Sequence, residues 1–146
     1  MPKKQYIKRF NEWIKLKKIL HDRNRKTGFK EGEIWWCGCG ENVGVEINGK
    51  TDRFARPVLI YKKLNRHSFL AIPISTQIKT GSWYVKFTFK KMLRVAVLSQ
   101  IKVMSVYRLY DRMGELDNFD MDKIIAGFNA LYKKSSPSRL EARGRG

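Results

Sequence analysis

The sequence predicts a mainly β domain, a small twisted barrel or sandwich, with a helix at each end. Three observations carry that reading. From Glu33 to Val106, short runs rich in Val, Ile, Trp, Tyr and Phe recur at intervals of about ten residues, with apolar side chains at every second position. Outside that region the apolar period lengthens to that of a helix. The 146 residues, 42% hydrophobic and 12% aromatic, suffice for one domain with its own core and exclude a wholly disordered chain.

In chain order, Tyr6, Phe10, Trp13, Ile14 and Leu20 recur near helical spacing with Lys15, Lys17 and Lys18 between them. This is a basic amphipathic helix from Tyr6 to about His21, and its Phe10 and Trp13 are expected to pack on the domain rather than on a lipid surface. Lys26, Thr27, Gly28 and Lys30 break the pattern, so 22–32 reads as a linker. Strands are predicted at 33–37, 57–62, 68–74, 83–89, 94–98 and 100–106. The polar, glycine-bearing stretch from Gly38 to Ala55 is long for a connection without its own element, and such loops are functional or disordered. The last element is a helix in which Met121, Ile124, Ile125, Phe128, Leu131 and Tyr132 form one stripe. Asp117 is placed to cap it, and Leu116 to staple onto Met121.

Charge divides the chain differently. Lys plus Arg number 31 against 13 Asp plus Glu, a net +18, as expected for a partner that is a polyanion. Residues 1–30 hold 11 basic and 2 acidic residues, and 133–146 hold 5 and 1. We therefore read 1–30 as a basic helical extension with its linker, 31–133 as the barrel domain with its helix, and 134–146 as a basic disordered tail. Cys37 and Cys39 share one face of a strand and read as two small buried hydrophobes. With His21 and His67 they match no zinc-ligand spacing, so neither a metal nor a cofactor is expected. The sequence shows no apolar signal region and no long apolar segment, which places the protein in the cytoplasm and off the membrane.

Several runs together carry a resemblance: Gly32-Glu33-Ile34-Trp35-Trp36, Gly44-Val45-Glu46, Arg56-Pro57-Val58-Leu59-Ile60, Ile72-Pro73-Ile74-Ser75-Thr76-Gln77, and Leu98-Ser99-Gln100-Ile101-Lys102 through Arg108-Leu109. In this order, over about 31–132, they resemble the MazF/PemK family of toxins. The resemblance implies a small SH3-like barrel with a C-terminal helix, a homodimer, and a metal-independent endoribonuclease that cuts single-stranded RNA and is held inactive by a cognate acidic antitoxin. It assigns catalysis to Arg56, Ser75, Thr76 and Glu46. Ser75 stands where the family usually has Thr; the hydroxyl is kept.

Elementary chemistry supports the same residues. RNA carries its own nucleophile, the 2′-OH, so cleavage needs in-line geometry, an exit for the proton and stabilisation of charge on the phosphorane. Arg56 offers a planar fork to a phosphate, and Pro57 biases it toward extended backbone at a strand start. Ser75 and Thr76 follow Pro73, which suits a strand end. The proton acceptor is open between Glu46, His67 and water. Lys62, Lys63 and Arg66 form a basic cluster, and Lys79 and Lys86 flank Trp83 and Tyr84; cations beside rings suit the phosphates and unstacked bases of a single strand. A non-catalytic barrel that binds a topoisomerase or nucleic acid is the alternative, because fold does not dictate function. The paired Arg-Pro and Ser-Thr-Gln motifs favour the nuclease.

Overall fold

The structure, a computed structural model, describes residues 6–23 and 28–134. The expected tail from Ser135, and part of the expected linker, lie outside the described residues. Helix α1 spans Phe10–Asp22, seven strands follow, and helix α2 spans Asn118–Tyr132. The strands are β1 (Glu33–Gly38), β2 (Ala55–Asn65), β3 (Ser68–Ser75), β4 (Tyr84–Phe89), β5 (Met92–Val97), β6 (Lys102–Ser105) and β7 (Leu109–Glu115). They form one antiparallel sheet in the order β4-β5-β3-β2-β1-β7, with β6 pairing β3 off that path. The sheet is open: it is a barrel only in the broad sense, with β4 and β7 as its edges.

Alternation explains the central strands. Along β2, Val58 and Ile60 enter one apolar cluster with Trp35, Cys37, Cys39 and Phe69, while Leu59 enters a second with Ile34, Ile72, Ile74 and Leu98. Both faces of β1, β2 and β3 are therefore buried, and their sequences read as nearly continuous apolar runs. Helix α2 closes the second cluster with Ile124, which is fully buried, and its Phe128 ring meets Tyr61 at 4.8 Å. Asp117 caps α2 by accepting from the Asp120 amide at 2.8 Å. Cys37 and Cys39 are both fully buried, and their mutual hydrogen bond together with burial pushes the Cys37 thiol up.

Three expectations change. Strand β7 adds a seventh strand, hidden in the sequence by Asp111, Arg112, Gly114 and Glu115; as an edge strand that pairs only β1, it buries Leu109 alone and leaves its other residues half-buried or exposed. The strand expected at 100–106 shrinks to Lys102–Ser105, because single turns of tighter helix occupy 98–100 and 106–108. Within the expected linker, Phe29 is a core residue whose ring meets Phe69 at 5.3 Å in a tilted contact.

Helix α1 packs through Trp13, Leu16 and Leu20 against Phe54 and Tyr110. Phe10 and Ile14 stay largely exposed. Apolar residues occur on both of its flanks, and the docking partner, not the helical period, selects the buried one. Among the described residues, no helix is long and apolar enough to cross a membrane.

Candidate functional site

The site forms where β2 begins and β3 ends. The β2–β3 register closes with Val58 opposite Pro73, and Arg56 and Ser75 lie two residues beyond that pair, at the start of β2 and the end of β3. Cys37 pairs with Arg56, and Val95 pairs with both Ser75 and Lys86. Two short cross-strand rows, Cys37–Arg56 and Ser75–Val95–Lys86, thus end beside each other at this edge of the β2–β3 pair.

Arg56 is held at two points. Its Nε donates to the Asn48 carbonyl at 2.8 Å, and one terminal nitrogen donates to the Ile74 carbonyl at 3.5 Å, the residue before Ser75. Burial pulls its guanidinium below the ordinary value, although an arginine remains charged at any working pH. A cation so placed keeps further N–H donors for an anion.

Two cavities meet at Arg56. The larger, about 390 Å³, is lined by Arg56, Thr76, Trp36, Lys50, Arg53, Arg94 and Asp111 among others. The smaller, about 200 Å³, is lined by Arg56, Ser75, Gln77, Lys79, Tyr84, Ser99 and Gln100 among others. Ser75 ends β3 and Thr76 begins the bend after it; Ser75 lines the smaller cavity and Thr76 the larger, and Arg56 is the residue common to both linings. Ser75 Oγ also accepts from the Gln77 amide at 3.1 Å, which fixes the turn that follows β3.

The remaining expected residues divide. Lys79 lines the smaller cavity. Trp83 is half exposed just before β4, and Lys86 is exposed on that strand, its carbonyl accepting from Lys123. Lys62, Lys63 and Arg66 lie six to ten residues further along the β2–β3 hairpin than Arg56, roughly 20 to 30 Å at the rise of a strand. There Lys63 sits over the Phe29 ring at 4.6 Å and Lys62 lies 3.9 Å from Glu31. His67 is exposed at the turn of that hairpin. Glu46 lies on a third cavity, with Asn42, Pro73 and Lys102, and its carboxylate accepts from the Val43 amide at 2.9 Å. The geometry therefore joins Arg56, Ser75, Thr76 and Lys79 and keeps His67 and the hairpin cations apart from them, while the cavity of Glu46 adjoins that of Ser75 through Ile47, Ser99 and Gln100.

Arg94 escaped the sequence reading. It is buried in β5, donates to the Phe89 carbonyl at 3.3 Å and lines the larger cavity as a third guanidinium beside Arg53 and Arg56. Its signal was present: a single charge inside the apolar run Met92-Leu93-Arg94-Val95-Ala96-Val97. Asn48 and Gln100 also act on the site. Gln100 accepts from the Ile47 amide and donates to the Val45 carbonyl, which ties the β1–β2 loop to the cavity wall.

The fold has known counterparts. The model of the family described as PemK-like, MazF-like toxin of type II toxin-antitoxin system matches residues 30–132. Among solved structures, the chain is similar to MazF (Form-I) from Deinococcus radiodurans at 14% identity, with a TM-score of 0.61 over 73% of this chain and 97% of that one. The MazE-MazF structure (Form-II) from the same organism is similar at 13% identity and a TM-score of 0.57, over 75% of this chain and 100% of that one. An endoribonuclease in complex with its cognate antitoxin, from Mycobacterial species, gives 18% identity and a TM-score of 0.55 over 73% of this chain and 97% of that one. At such identities the likeness is one of fold. No curated protein sequence matches the chain significantly.

Proposed function

Because the chain belongs to the PemK-like, MazF-like toxins of type II toxin-antitoxin systems, we propose that it is an endoribonuclease that cuts single-stranded RNA by attack of the 2′-OH on the adjacent phosphate. The observation that carries this is Arg56, braced on the wall between two cavities with Ser75 in one and Thr76 in the other. RNA threaded past Arg56 would leave its scissile phosphate against the guanidinium and its flanking nucleotides in the two cavities. Trp36, Arg53 and Arg94 suit a base and a phosphate in the larger one.

In this reaction the 2′-oxygen forms a bond to phosphorus, the bond from phosphorus to the 5′-oxygen breaks, and the leaving oxygen takes up a proton. Arg56 donates to the non-bridging oxygens as negative charge builds there, where a preorganised cation contributes most. The Ser75 hydroxyl donates to the same phosphate from the strand opposite. Neither Glu46 nor His67 lines the two cavities that meet at Arg56, and in this scheme the 2′-OH proton leaves to solvent. No resident metal or cofactor enters the scheme, which is the reading the residue types support.

The net charge of +18 suits both RNA and an acidic, partly disordered antitoxin segment that competes for the same cavities. We read the active protein as a cytoplasmic homodimer, with 31–133 as its catalytic unit and the flanks 1–30 and 134–146 as basic extensions. Incubating the purified chain with mixed RNAs in EDTA tests the proposal. Fragments ending in 2′,3′-cyclic phosphate and 5′-OH are expected, with DNA untouched and cutting abolished by 2′-deoxy substitution at the scissile nucleotide. RNA bound but never cut would instead support a non-catalytic binding module.

A further inference from the structure

Helix α1 lies outside the family-matched residues 30–132, yet its start grips the loop that builds the site. That loop, 39–54, joins β1 to β2 without a strand or helix of its own, and such a length needs outside support to stay ordered. Its Asn48 carbonyl holds Arg56 Nε, and its Thr51 lines the larger cavity.

The grip has three parts. Arg9 donates to the Thr51 carbonyl at 3.1 Å, lies 4.1 Å from the centre of the Phe54 ring and sits 3.8 Å from the Glu41 carboxylate. Glu41 is buried, accepts from the Tyr6 hydroxyl, and keeps a second oxygen with no hydrogen-bond partner among the described residues. Arg9 is thus the cation that offsets a buried carboxylate, and without it the loop must open to hydrate that charge. Trp13 completes the contact. Its indole covers Gly40, whose φ of +82° and lack of a Cβ let the ring sit on the backbone, and it meets Phe54 at 5.6 Å.

We propose that α1 and residues 6–9 before it are a brace acting within the chain: Arg9 and Trp13 are positioning residues that hold loop 39–54, and through the Asn48 carbonyl hold the Arg56 guanidinium against the end of β3. This rests on the reading of Arg56 as the charge stabiliser of RNA cleavage. An extension outside the family region thereby becomes part of the working site.

The test uses the full chain with Arg9→Ala, Trp13→Ala and Trp13→Phe. Hydrogen exchange at the Gly40, Gly49 and Lys50 amides reports the loop, since each bonds within it or to its ends. The Arg56 Nε–H resonance, assigned by its loss in Arg56→Lys, reports the guanidinium. In Arg9→Ala the loop amides are expected to exchange about tenfold faster or more while the β2–β3 amides keep their protection. The Arg56 resonance should broaden, and kcat on RNA should fall by about tenfold or more with a smaller change in KM. Trp13→Phe should restore most of what Trp13→Ala loses. An unchanged loop and Arg56 resonance in Arg9→Ala would overturn the brace, and so would a loosened loop with full turnover. A parent chain that cuts no RNA would sink the nuclease reading alone, because exchange and the Arg56 resonance decide the brace without activity.

Discussion

The Nε of Arg56 donates to the main-chain oxygen of Asn48 at 2.8 Å, so the guanidinium at the centre of the site is oriented by a loop and not by its own strand. That bond leaves the terminal nitrogens of the fork turned toward Ile74 and the two cavities. A lysine in its place would keep the charge and lose the fork. Arg56→Lys and Arg56→Ala are both expected to lower RNA cleavage by about 10² to 10³. Arg56→Ala should cost only about 1 kcal/mol of stability for its lost hydrogen bonds. Turnover assays beside thermal melts check this, and a folded Arg56→Ala with full activity would remove Arg56 from the mechanism.

Ser75 and Thr76 should separate by kinetics, because they face different cavities. Ser75→Thr is expected to keep activity, and Ser75→Ala to lose most of kcat. Thr76→Ala should act mainly on KM, through the larger cavity. Should Ser75→Ala cut normally while Thr76→Ala does not, Thr76 is the hydroxyl at the phosphate.

Acid should weaken the fold through Glu33. Burial pushes its carboxyl up, but hydrogen bonds from Arg112, the Lys30 amide and the Trp35 indole outweigh that and leave it below the ordinary value. A carboxylate with a depressed folded pKa contributes stability above its unfolded pKa and loses it as pH falls through the folded one. Stability is therefore expected to drop from about pH 4.5 downward, starting at the ordinary carboxylate value. Glu33→Gln should be less stable at pH 7 and show a shallower acid limb. Denaturant melts between pH 3 and 7, as a working range, check the difference.

Cations near and far from Arg56 should differ in salt response. Lys79 lines the smaller cavity, whereas Arg66 sits on the distant hairpin turn. Arg66→Ala should weaken RNA binding at low salt and leave kcat unchanged, reducing the slope of log K against log salt by about 0.7 if one phosphate contact is lost. Lys79→Ala should lower kcat/KM at low and high salt alike. Equal effects of the two would mean that the hairpin also lies on the RNA path.

Helix α2, strands β1 to β4 and the Arg-Pro and Ser-Thr pairs were legible because each is written in consecutive residues. A capping Asp117, a stripe ending at Tyr132 and alternation through Val58, Leu59 and Ile60 are local patterns, and burial on both sheet faces amplifies them. What the tertiary structure alone decided depends on distance between segments far apart in the chain. Strand β7 exists because β1 offers an edge, and its own charged residues argue against it. Register brings the start of β2, with Arg56, to the end of β3, with Ser75, and sends Lys62, Lys63 and Arg66 to the other end of the hairpin. Arg94 reaches the larger cavity because β5 pairs with the end of β3, and Glu46 turns back onto its own loop through the Val43 amide. Helix α1 has apolar residues on two flanks, and only Gly40, Phe54 and Tyr110 select the one that docks. A sequence specifies which side chains seek burial or charge, while closing a loop or pairing two strands is a property of the whole chain, settled by which contacts can form together.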